Sequence, residues 1–230
     1  MVSLPPQSPK VLPFENLKIL LGLSAPEILF VGQLQFCPTN NISGADKPSK
    51  VFKFSNGKTL GLCGGSETKN KEKVYSEFII FKCGLDTSIL EFDGTQSCTV
   101  EQNKDTLIIQ EFYNIANNKN LTLKWTKFYV TKLYWKSKKL IRESYYKKDL
   151  TKYTSVEIEN VLKEFKASNK RFSGDKILLL GHRLFWAYVS DSKLAGQYLE
   201  KLEDKFGGFD GAIAEEYEDL IATYQHYKTK

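Results

Sequence analysis

Residues 105–135, DTLIIQEFYNIANNKNLTLKWTKFYVTKLYW, hold two long apolar segments joined by an Asn-rich connection, and this pair constrains the fold more than any other stretch. Read as a strand, the second segment alternates between two faces. One face collects Leu121, Leu123, Trp125, Tyr129, Leu133 and Trp135, interrupted by Lys127 and Thr131. The other carries Thr122, Lys124, Thr126, Phe128, Val130, Lys132, Tyr134 and Lys136. The first reads as a core face and the second as a basic surface with interleaved aromatics. In the first segment, Leu107, Ile108, Ile109, Phe112 and Tyr113 suit a mostly buried strand. Residues 114–120 have the polar turn chemistry of a hairpin loop. A hairpin near the centre of an antiparallel sheet is the expected result.

Upstream, residues 1–10 (MVSLPPQSPK) read as a disordered tail without the charged and apolar regions of a signal peptide. LKILLGL and EILFVGQLQF follow, separated at Pro26, and read either as two strands or as a short helix and a strand. Residues 37–50 are a loop by composition. In VFKFSNGKTLGLC, Asn56-Gly57 between apolar runs signals a hairpin. After a charged loop over 67–73, VYSEFIIFKC reads as a strand, and residues 87–100 add one or two more around Asp93-Gly94. The rhythm of strand and turn predicts a β-meander.

Beyond Trp135 the pattern changes. KSKKLIRESYYKKDLTKY either continues the strand or forms a basic helix. Thr154 with Glu157 three residues later forms a capping box for a helix over 154–169. KILLLGHRLFWAYV has strand-like residues on both sides of Gly181-His182 and reads as a hairpin or as one long buried element, with strands that extend the sheet as the expected outcome. Residues 192–206 read as a helix stopped by Gly207-Gly208, and 210–227 as an amphipathic helix with Ile213, Tyr217, Leu220, Ile221 and Tyr224 inward. The fold class is α+β. One domain is expected over 11–230, strand-rich over 11–150 and helix-rich over 151–230, with the helices packed on the antiparallel meander.

Charge is unevenly spread. Residues 1–120 balance 12 basic against 12 acidic groups, while residues 121–153 hold 10 basic and 2 acidic groups, a net of +8 within a chain of net +6. Such a patch attracts anions. The expected partner is an acidic protein, in an immunity-like or inhibitor-like role, bound by Lys124, Phe128, Lys132, Tyr134, Lys136, Lys138, Lys139 and Arg142. Single-stranded nucleic acid is the alternative, with Phe128, Tyr134, Tyr145 and Tyr146 as stacking platforms. Against it, the chain has 30 Lys and three Arg, and bidentate phosphate contact and base readout favour Arg.

Cys37, Cys63, Cys83 and Cys98 lie in the first hundred residues without a C-x-x-C pair, so a zinc ribbon is not expected. An even count in a strand-rich region fits disulfides and an oxidising compartment, periplasmic or secreted, as in a bacterial envelope protein. Gly61-Leu62-Cys63-Gly64-Gly65 has the form of a thiol nucleophile elbow, which makes a Cys63 hydrolase with His182 as base the enzymatic alternative. The polar SETKNKEK that follows is a poor packing helix and argues for a turn with a structural cysteine. His226, on the last helix, is expected to be solvated. The acids Glu215, Glu216, Glu218 and Asp219 read as a solvated helix face, Asn41-Ile42-Ser43 and Asn120-Leu121-Thr122 match glycosylation sequons, and no metal or cofactor motif is present.

Overall fold

The computed structural model describes residues 36–39, 44–84, 87–116, 122–169 and 172–229. The expected tail, the two apolar runs before Phe36, and both sequons apart from Thr122 lie outside them. Among the described residues, eight strands come before the helices: β1 Lys50–Lys53, β2 Thr59–Gly64, β3 Glu67–Lys69, β4 Glu72–Lys82, β5 Ser88–Asn103, β6 Thr106–Ala116, β7 Leu123–Lys136 and β8 Lys139–Tyr146. Five helices follow: α1 Ser155–Ala167, α2 Gly174–Val189, α3 Lys193–Glu200, α4 Leu202–Phe206 and α5 Gly211–Lys228. The fold is α+β, as the sequence predicts.

The strands pair antiparallel in the order β1-β2-β4-β5-β6-β7-β8, with β3 folded back on β4. The expected meander is therefore present, and β7 pairs with β6 as a central hairpin. Tight turns sit where the chain accepts a positive φ, at Gly57 between β1 and β2 and at Ser137 between β7 and β8. The basic stretch after Trp135 resolves into that second turn and β8.

The sheet curls on itself. Gln102 Nε2 at the end of β5 donates to the Lys53 carbonyl of β1 at 2.6 Å, although β2 and β4 lie between these strands in the sheet. Asp105, in the β5–β6 turn, accepts from the Ser55 amide at 2.6 Å and from its hydroxyl at 2.5 Å. Inside the curl, Phe52, Leu60, Leu62, Phe78, Ile80, Val100, Leu107, Ile109 and Leu133 form one buried cluster. A second cluster lies where the helices cover the other end of the same face, and it joins Tyr113, Phe128 and Tyr146 of the sheet to Val161, Leu180, Leu184, Phe185, Trp186, Leu199, Leu220 and Tyr224. On the opposite face of β2 and β4, the Cys37–Cys63 disulfide packs with Ile79 and Phe81.

Two expectations are corrected. Lys176 to Val189 extends no sheet, because it lies in helix α2. This helix is buried against α1, α3, α5 and β6 and has apolar residues almost all round, so it lacks the polar face that would mark a helical period. Gly181 admits its neighbours, since a Cβ there would stand 2.9 Å from Leu220 Cδ2 and 3.1 Å from Leu202 Cδ2.

Phe128 is the second correction. Glu111 pairs with Tyr129 and Phe112 with Lys127, so Phe128 is an extra residue in β7. The bulge breaks the alternation and turns Phe128 and Tyr129 to the same side, where both rings meet Tyr146, at 4.9 and 4.7 Å. Phe128 is 2% exposed and belongs to the core, away from the basic surface. Equilibrium urea unfolding should register this difference: Phe128→Ala is expected to lower stability by about 3–5 kcal/mol, whereas Lys132→Ala stays within about 0.5 kcal/mol of the parent.

Candidate functional site

Two surfaces carry chemistry. The first is the outer face of β7 and β8, where Lys132 pairs with Glu143, Tyr134 with Ile141 and Lys136 with Lys139 across the ladder. Lys136, Lys138 and Lys139 are exposed around the hairpin turn. Tyr134 donates to Glu143 at 2.5 Å, and Lys132 Nζ lies 5.1 Å from the centre of the Tyr145 ring. Among the described residues, Lys132, Lys136, Lys138, Lys139 and Lys148 make no salt bridge. By contrast, Lys127 pairs with Glu72 at 2.8 Å and Lys152 with Asp191 at 2.6 Å.

The structure does not place all the expected partner-binding residues on this face. Arg142 pairs with Leu133, which is buried inside the curl, so Arg142 belongs to the inner face. Lys124 pairs with Ile115, which packs against the helical core, because the bulge reverses the alternation beyond Phe128. Lys132, Tyr134, Lys136 and Lys139 remain together, with Lys138 in the turn. Where β8 ends, a cleft of about 480 Å³ continues the basic segment, with Lys147, Lys148 and Lys152 beside Leu150, Tyr145 and Tyr227.

The second surface is on the inner face. Tyr75, Cys98, Glu111, Tyr129 and Tyr146 follow one another in register across β4, β5, β6, β7 and β8. The row runs from the cluster inside the curl, which holds Tyr75 and Cys98, to the cluster under the helices, which holds Tyr146. Burial holds Glu111 up at about 7, against the pull of Arg142, and holds the Cys98 thiol well above its ordinary value with Glu111 adding to the effect. Helix α5 closes the row, and His226 Nδ1 lies 2.8 Å from the Tyr146 hydroxyl. His226 is exposed, as expected from sequence, and this contact ties α5 to the end of β8. A pocket of about 340 Å³ opens here, with Glu111, Tyr129, Tyr146 and His226 among its walls.

His182 Nδ1 lies 3.2 Å from the Tyr113 hydroxyl, which ties α2 to β6. Burial pushes this histidine down to about 4. A neighbouring pocket of about 360 Å³ has His182, Glu216 and Asp219 among its walls; Glu215, Glu216 and Glu218 are exposed as expected, and Asp219 is half-buried. Cys63 is fully buried within β2 and bonded to Cys37, so the Gly61-to-Gly65 stretch is a strand and not an elbow, and Cys63 carries no free thiol. Its glycines serve packing: a Cβ on Gly61 would fall 2.3 Å from the Phe81 ring, and one on Gly64 2.4 Å from Phe78 Cβ. Of the other disulfide candidates, Cys83 and Cys98 are free. Among the described residues no group of three His, Cys, Asp or Glu is placed to hold a metal ion, and no described helix is long and apolar enough to cross a membrane.

The row was missed because it links five strands through register, which only the folded ladder defines. The one local signal was Glu111 inside an apolar run. Comparison with known proteins returns no matching family model, no matching curated protein and no matching solved structure.

The two buried groups act on stability in opposite directions. An unfolded chain protonates His182 near 6.5 and the folded protein only near 4, so this contribution is complete above 6.5 and is lost as pH falls through 4. Glu111 rises from 4.5 unfolded to about 7 folded, so its contribution is complete below 4.5 and is lost as pH rises through 7. Each window spans up to about 3 kcal/mol. Urea unfolding at a series of pH values is therefore expected to show that Glu111→Gln gains stability on the parent from pH 4.5 to 7, and that His182→Gln flattens the acid limb.

Proposed function

We propose that the protein is a non-enzymatic binding protein that engages an acidic protein partner through the outer face of β7 and β8 and the adjoining lysine cleft. The carrying observation is the run of exposed lysines, Lys136, Lys138 and Lys139, at one hairpin end without an ion-pair partner among the described residues. Uncompensated surface charge speeds encounter with an oppositely charged surface and fixes its orientation. β8 ends the strand order among the described residues, and lysines on an edge strand also oppose pairing with a further strand.

Nucleic acid is the weaker reading. Tyr134 is held by Glu143 and Lys132 stands over the Tyr145 ring, so each outer ring already has a partner that a stacked base would have to displace. The Cys37–Cys63 disulfide supports a periplasmic or secreted setting for such a binder, and an immunity-like or inhibitor-like role fits the same surface.

The test is retention on immobilised poly-glutamate and on immobilised oligothymidylate, at rising salt, for the parent and for a Lys132→Glu, Lys136→Glu, Lys139→Glu variant whose circular dichroism matches the parent. The parent is expected to bind poly-glutamate at low salt, and the variant to lose about tenfold or more in affinity. Equal retention of parent and variant overturns the proposal. Preferential retention on oligothymidylate moves the assignment to nucleic acid.

A further inference from the structure

The pocket at the end of the inner polar row has the chemistry of a receptor for a small organic cation. Its volume, about 340 Å³, falls within the range of small-molecule sites. Aromatic rings from three strands form its sides: Tyr113 and Phe128 stand 5.5 Å apart, Phe128 and Tyr146 4.9 Å, and Tyr129 and Tyr146 4.7 Å. Ring faces carry the negative part of the aromatic quadrupole and attract a desolvated ammonium group.

Glu111 supplies the one carboxyl among the pocket walls. Among the described residues it accepts no hydrogen bond and makes no salt bridge. The titratable and charged groups around it are Cys98 from β5, Tyr129 from β7, Tyr146 and Arg142 from β8, and His226 from α5. Arg142 lies on the same face but is exposed, and its attraction leaves the carboxyl short of compensation. His226 is engaged with Tyr146 through Nδ1. Glu111 is half-buried; a carboxylate drawn this far from water without a paired cation is unfavourable, and a ligand that brings a positive charge relieves it.

We propose that this pocket binds an alkylammonium ligand, with the ammonium group against the Glu111 carboxylate and the alkyl portion against the rings of Phe128, Tyr129 and Tyr146. The site lies on the inner face and shares Tyr146 with the adjoining lysine cleft, while Lys132, Lys136 and Lys139 lie on the opposite face of the sheet.

Isothermal titration with butylammonium chloride, against 1-butanol as a neutral probe of the same shape and sodium chloride as a salt control, decides the matter. Saturable binding of butylammonium is expected, with 1-butanol weaker by about tenfold or more. Glu111→Gln removes the charge and keeps the shape. It is expected to fold at least as stably as the parent at pH 7, and to weaken butylammonium binding by about tenfold or more. Tyr129→Leu keeps the carboxyl and removes one ring, and is also expected to weaken the cation. No saturable signal from the parent up to about 10 mM overturns the assignment. Equal affinity for 1-butanol, or undiminished affinity in Glu111→Gln, overturns it as well.

Discussion

The extra residue in β7 is the constraint on which the arrangement depends. A regular strand would send Phe128 and Tyr129 to opposite faces. The bulge opposite the step from Glu111 to Phe112 places both rings beside Tyr146 and gives the helices an aromatic floor. Phe128 meets Phe185 and Trp186 of α2 and Tyr227 of α5, so one ring joins the sheet to two helices. The same bulge carries Trp125 to the outer side, where it stacks at 3.7 Å on Phe112 of β6.

Directional contacts fix what this apolar surface leaves free. Apolar packing is non-directional, and the helices acquire register from polar bonds at their edges. His182 meets Tyr113, and His226 meets Tyr146, so both histidines of the chain take a hydroxyl of the sheet as partner. Tyr153 adds a third tie by donating to the Ala116 carbonyl while its own amide donates to Ser190 Oγ. Arg183, buried in α2, is paired with Glu164 of α1. Between the two cores the polar row remains, with Glu111 held partly protonated by its surroundings. Its burial opposes folding near neutral pH.

Much of the fold was legible because its signals are local. The turn at Asn56-Gly57, the β-branched and aromatic runs of β4 and β6, the capping box at Thr154 and Glu157, and the left-handed Gly207 each depend on residues close in the chain. The inward stripe of the last helix was legible too, with Tyr217, Leu220 and Tyr224 buried as its spacing predicts. Helix α2 was not, since burial on all sides removes the polar residues that reveal a period. For the candidate surfaces, the excess of lysine in residues 121–153 was plain in the sequence. Its division between two faces was not, because one bulged residue reverses every position beyond it.

The sequence by itself determined the α+β class, the passage from a strand-rich to a helix-rich part and the concentration of positive charge, since these follow from composition, periodicity and turn chemistry within short windows. Only the tertiary structure decided that Cys37 bonds to Cys63, that Phe128 belongs to the core, and that Glu111 stands in line with Tyr75, Cys98, Tyr129 and Tyr146. Each of these depends on which distant residues become neighbours. Strand register and the curl of the sheet set that, and no local window contains it.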